Sequence, residues 1–160
     1  MAVDMFIKIK GVDGESVDKA HKGEIDVLAW SWGMSQSGTT HVGGGAGAGK
    51  ANVQDLSFTK WVDLASSTLM KFCLNGKHIE EAVLVVRKAG EKPLEYITMT
   101  MTDVIVTSVS TGGSGGEDRL TENVSLNFAT VKYQYVSQAK TGAGDKKPEF
   151  TYKIAENEMA

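Results

Sequence analysis

Residues 55–78, DLSFTKWVDLASSTLMKFCLNGKH, decide the fold. Ala65, Leu69, Phe72 and Cys73 recur at the three- and four-residue spacing of one helical face. Ser66 reads as the N-cap, and Gly76 stands where a left-handed residue would end the helix. That predicts a helix over about 66–75, too short to be stable alone. No other stretch keeps the helical period for more than a turn. On both sides the apolar residues alternate with period two or run continuously, as strands do. The helix is therefore an appendage whose one apolar stripe covers a side or an open end of an otherwise all-β body.

Upstream, Val3, Met5, Ile7 and Ile9 alternate with polar residues in a first strand with one buried face. Residues 11–23 are polar and read as a surface loop. In EIDVLAWSWGMSQ, Ile25, Val27 and Ala29 fall on one parity and Leu28, Trp30 and Trp32 on the other, so both faces of the second strand want cover. Residues 37–52, SGTTHVGGGAGAGKAN, hold six glycines and three alanines and almost nothing to bury. Such a loop does not by itself offset the entropy of being ordered. A third strand, VQDLSFTKWV, leads into the helix.

Downstream, HIEEAVLVVRKAG carries the run Ala82–Val86, again apolar on both faces. In LEYITMTMTDVIVTSVS the phase changes at Asp103, where a β-bulge is the simplest account. In LTENVSLNFATVKYQYVS it changes across Ala129 and Thr130. Phe150, Tyr152 and Ile154 make a last short strand. Long strands that change face halfway belong to a sheet bending from one layer into the other. The expected fold is mainly β: a two-sheet barrel or sandwich of antiparallel strands with one flanking α-helix. Residues 1–160 make a single domain, with a long glycine-rich loop at about 38–52.

The composition is 41% hydrophobic and 23% charged with net charge −3. A mildly acidic chain with no basic run is a poor ligand for nucleic acid or an anionic membrane, and no apolar run is long enough to span a bilayer. The start, MAVDMFIKIKG, alternates at once and is no secretory signal. One cysteine excludes an internal disulfide and suits folding in a reducing cytoplasm, so any export would use another route than an N-terminal signal.

Three patterns invite an enzymatic reading. Residues 44–51, GGAGAGKA, match a phosphate-binding loop up to Lys50, but Ala51 replaces the hydroxyl that would hold magnesium. A strand follows, where a helix N-terminus is needed. Residues 112–116, GGSGG, match a nucleophile elbow, but again a strand follows in place of a helix. His21, His41, His78 and Cys73 are scattered and form no ligand pair. We expect no enzyme activity, no cofactor and no metal. The positive signal is surplus apolar surface on the second, fourth and sixth strands, which points to self-association.

MAVDMFIKI, EIDVLAWSWGMSQSG, VQDLSFTKWVD, GKH at 76–78 and above all VSTGGSGGEDRLTENVSLNFA resemble the haemolysin-coregulated protein family, in register from Met1 to about Tyr135. That family supplies the tube of the bacterial type VI secretion system. The resemblance implies a structural subunit that forms hexameric rings stacked into a hollow tube, which carries effector proteins through its lumen. It implies a contractile sheath and a spike protein as further partners. It also implies folding in the cytoplasm followed by delivery to the exterior or a target cell without a signal peptide. On that footing Ser31, pointing away from Trp30 and Trp32, is the candidate for the lumen wall. The loop with His41, Val42, Gly43, Gly44, Gly45 and Lys50 is the candidate for ring-to-ring stacking. The alternative from a different class is a monomeric β-barrel that binds a ligand in its own interior.

Overall fold

The computed structural model describes residues 3–38, 50–90 and 92–160. In chain order the elements are β1 (Val3–Ile9), β2 (Ile25–Ser31), β3 (Met34–Ser35), β4 (Asn52–Val53), β5 (Leu56–Trp61), α1 (Ala65–Asn75), β6 (Ile79–Lys88), β7 (Leu94–Thr111), β8 (Thr121–Tyr135), β9 (Glu149–Lys153) and β10 (Glu158–Met159). One antiparallel sheet runs β10-β9-β8-β5-β2-β1-β6-β7, and β7 pairs back onto β8, closing a barrel. Closure removes the edges that an open sheet would leave unpaired. A small second sheet joins β3 to β4. The expected fold class is what is found.

The 18-residue β7 and 15-residue β8 are the spine, paired from Ile97–Tyr135 to Thr111–Glu122. Both change face where the sequence indicates. Asp103 takes φ +55°, the left-handed conformation that Asp tolerates better than most residues, and Met99 and Met101 before it and Val104 and Val106 after it are all buried. In β8, Val124, Leu126 and Phe128 point inward, then Val131 does. Past the switch, β8 takes β9 as its partner from Thr130 to Gln134.

Several expectations need correcting. The helix begins at Ala65, and Ser66 is not its N-cap. Asp63 caps the first turn instead. Its carboxylate accepts from the Ala65 N–H at 2.9 Å while the Ser66 hydroxyl accepts from the Asp63 N–H at 2.9 Å, a reciprocal arrangement of the capping-box kind. Gly76 does end the helix, at φ +64°, with its N–H bonded to the Phe72 carbonyl. Ala65, Leu69 and Phe72 join the core, and the helix packs against β7. The third expected strand is two, β4 and β5, broken at Gln54, whose N–H reaches the Gly33 carbonyl.

The second strand is not apolar on both faces. A bulge between Val27 and Ala29 makes Leu28 the extra residue. Ile25 and Val27 before it, and Trp30 and Trp32 after it, therefore all turn toward one core. Nor are residues 11–23 a plain surface loop. Val12, Ser16 and His21 are buried, and the segment folds back on itself through Gly14 N–H to Gly23 O and Ser16 N–H to Glu24 O at 2.8 and 2.9 Å. It lies over Phe6, which the one-faced reading of the first strand overlooked; Phe6 is buried on the outward side, in register with buried Val85 of β6. Much of the apparent apolar surplus is thus covered within the chain itself.

Two charges sit inside the barrel. Lys60 of β5 and Glu122 of β8 are register partners, both almost wholly buried. The Lys60 ammonium donates to Glu122, to Asp63 at 2.8 Å and to the Ser66 hydroxyl at 3.2 Å, and Ser66 Oγ donates to Glu122 at 2.5 Å. Burial pushes the Glu122 carboxyl up, but the bonds from Lys60 and Ser66 outweigh it and hold the group below its ordinary value. The network ties the start of α1 to the ends of β5 and β8.

Candidate functional site

Among the described residues, neither Lys50 nor Ser114 is directly followed by a helix. Of residues 44–51, those up to Gly49 lie outside the described residues, as do His41, Val42, Gly43, Gly44 and Gly45; Lys50 is exposed and leads into strand β4, not a helix. Ser114 sits in an exposed turn between β7 and β8. His21 faces Glu24 and Glu95, and His78 faces Asp103. Among the described residues no group of three or more His, Cys, Asp or Glu is placed to hold a metal, and no helix is long and apolar enough to cross a membrane. Ile7, Leu56, Phe58, Leu84, Met99, Met101 and Leu126 fill the barrel interior, which leaves the ligand-barrel alternative no support.

What the strands do assemble is an outward wall across β2, β5, β8 and β7. Register places Ser31 opposite Ser57, Ser57 opposite Ser125 and Ser125 opposite Ser108. One step along, Ala29, Thr59, Asn123 and Ser110 make a second row. Directly opposed residues in antiparallel strands share a face, so the two rows form a continuous field of small, uncharged side chains. The bulge at Leu28 turns Ala29 and Ser31 outward. A second register shift, between Val106 and Ser108, does the same for Ser108 and Ser110. Without these shifts the outer strands of the four would present the wrong parity.

Two pairs of the wall's polar groups satisfy each other. Ser57 and Ser125 share a hydroxyl–hydroxyl bond at 3.1 Å, and Thr59 donates to Asn123 at 2.6 Å. At one border Asp55 accepts from Thr107 at 2.8 Å and from Asn127 at 2.9 Å. A shallow depression of about 230 Å³ lies over Ser31, Ser57, Thr59 and Asn123. Such a surface is wet, short of bulk and free of charge at its centre.

Ser31 is exposed; sequence reasoning did not single out its neighbours in the two rows, Ser57, Thr59, Asn123, Ser125, Ser108 and Ser110. The signal was present for the middle strands, since Ser57, Thr59, Asn123 and Ser125 alternate with Leu56, Phe58, Val124 and Leu126. The inward parity of the same strands also carried Lys60 and Glu122, a charge on an otherwise apolar phase in each.

Comparison with known proteins follows the same line. A family model described as "Type VI secretion system effector, Hcp" matches residues 6–135. Protein hcp1 of Pseudomonas aeruginosa is 60% identical to the chain over 162 residues, which cover 100% of both. The crystal structure of Hcp1 from Salmonella typhimurium matches with a TM-score of 0.82 at 45% identity, covering 100% of each chain. A structure of a type six secretion system protein matches with a TM-score of 0.93 at 31% identity, over 99% of this chain and 100% of that one.

Proposed function

This chain belongs to the Hcp family of secreted type VI secretion system proteins, and from that premise we propose that it is the structural subunit of the secretion tube, without catalytic activity. Hexameric rings of it stack into a hollow tube, and the serine wall of β2, β5, β8 and β7 faces the lumen. The carrying observation is the pair of four-residue rows through Ser31 and Ala29. A conduit has to let a folded effector pass and release it. Small side chains keep the bore open, and the hydroxyls of Ser57, Ser125 and Thr59, already bonded within the wall, gain little by binding anything else. Effectors, the contractile sheath and the spike are its partners in this reading. Ring-to-ring stacking is assigned to residues 38–52, Lys50 among them, of which 39–49 lie outside the described residues.

Ser31→Gln tests the wall. A longer side chain on an exposed strand position leaves the core untouched, so on gel filtration the variant elutes, like the parent, as a ring several times the chain mass. Retention of at least one effector weakens. Elution of the parent as a monomer sinks the ring; undiminished capture of every effector by the variant removes Ser31 from the lumen. Shortening residues 38–50 to a four-residue turn tests the axial joint by electron microscopy: single rings without tubes are expected, and tubes of normal length place the joint elsewhere.

A further inference from the structure

We infer that His21 is a proton-operated latch that ties the 11–23 connection to the start of β7. Its ring stacks on Phe6 with centroids 4.4 Å apart and planes 13° from parallel. Nδ1 lies 3.0 Å from Oε2 of Glu24, just ahead of β2, and Nε2 lies 2.6 Å from Oε1 of Glu95 in β7. A neutral imidazole has one N–H, so it donates to one carboxylate and turns a lone pair toward the other. Only the imidazolium satisfies both partners.

The surroundings favour that charge. Glu24 and Glu95 of β7 face the ring. The Phe6 ring on which it stacks also meets Arg87 of β6, itself bonded to Asp18 of the same connection and to Asp4 of β1. Arg87 lies over the Phe6 ring that His21 also stacks on, with 5.1 Å from its Cζ to the centroid. Its charge is already matched, by two bonds to Asp18 at 2.6 and 3.1 Å and one to Asp4 at 3.1 Å. Glu24 and Glu95 are left for the histidine. Burial weighs against the imidazolium, but its bonds to Glu95 and Glu24 outweigh burial and raise its proton affinity above the ordinary value.

Two of the connection's side-chain ties, His21 to β7 and Asp18 to β6, therefore answer pH differently. Arg87 holds the Asp18 carboxyl at about 2, so the Asp18–Arg87 tie is constant through the neutral range. The His21 tie is complete below the ordinary histidine value of 6.5 and is lost as pH rises through the raised one. Glu95 is 44% exposed against 15% for Glu24, so water most readily takes over Glu95. Deprotonation opens the contact to β7 while Asp18 still hinges the segment on β6.

The test is an NMR titration of the full chain from about pH 5 upward, across the range in which histidine changes charge. The His21 ring signals are expected to titrate above the ordinary value. Backbone amides of residues 18–22 and 94–96 move with the same midpoint, while those of Ser57 and Ser125 stay still. Glu95→Gln, at a half-exposed position, leaves the fold intact and moves the midpoint down. A ring that titrates at or below the ordinary value overturns the latch, as do amides that stay still or a midpoint that Glu95→Gln leaves unchanged.

Discussion

The two outward rows through Ser31 and Ala29, across β2, β5, β8 and β7, hold no buried residue, whereas Phe6 and Val85 on the outward side of β1 and β6 are buried beside the 11–23 connection, although both regions belong to one closed sheet. On the first, the outward parity carries Ser31, Ser57, Ser125 and Ser108; on the second it carries Phe6 and Val85, both buried. A sheet face of hydroxyls and amides is at ease in water, while a face with a phenyl ring on it must find cover. The chain supplies that cover from its own β1–β2 connection and fastens it with charges. Backbone bulges at Leu28 and between Val106 and Ser108 set the parity of the first face. The side chains at outward parity decide which one stays free to meet another molecule.

The comparison breaks hardest from inside the strands that carry the bare wall. Lys60→Met leaves Glu122 buried without its counter-charge, and removing one member of a buried pair costs about 3–5 kcal/mol. Urea denaturation at neutral pH measures it. Because Lys60 holds the Glu122 carboxyl below its ordinary value, the pair's contribution is present above the unfolded value of 4.5 and is lost as pH falls through the folded one. The deficit of the variant therefore shrinks in acid, and pairing it with Glu122→Leu recovers much of the loss. A single variant as stable as the parent at neutral pH would show that Lys60 and Glu122 do not brace the wall.

On the covered face, Phe6→Ala takes away the ring that His21 and Arg87 both contact. Large-to-small changes at buried phenylalanine cost about 3–5 kcal/mol, and a face covered only by a connection yields toward the low end, about 3 kcal/mol. Amide hydrogen exchange in residues 12–23 is expected to accelerate more than in β8. Equal acceleration in both would mean that the connection is part of the main core and not a cover.

The smallest effect sharpens the contrast. Ser57→Ala deletes a hydroxyl bonded to Ser125 on a half-exposed wall, and stability changes by less than about 0.5 kcal/mol. Thermal melting of Ser57→Ala beside Phe6→Ala then reads the two faces directly: an outward residue that packs against a cover matters to folding, and one that faces water does not. A loss at Ser57 as large as that at Phe6 would erase the distinction.

The sequence alone determined the alternation of β1, β5, β7 and β8, the helix with Gly76 at its end, the phase changes at Asp103 and at Ala129–Thr130, and the outward direction of Ser31 relative to its tryptophans. These are local properties: two residues per strand repeat, 3.6 per helical turn, and a side chain's parity relative to its immediate neighbours. Only the tertiary structure decided that Leu28 bulges so that Ile25 and Trp30 share a core, that Lys60 meets Glu122, that residues 11–23 fold over Phe6, and that four serines line up across four strands. Those depend on which strands become neighbours and in what register. Closing β7 onto β8 sets both at once, from residues as far apart in the chain as Ser31 and Ser125, and no window of sequence spans that distance.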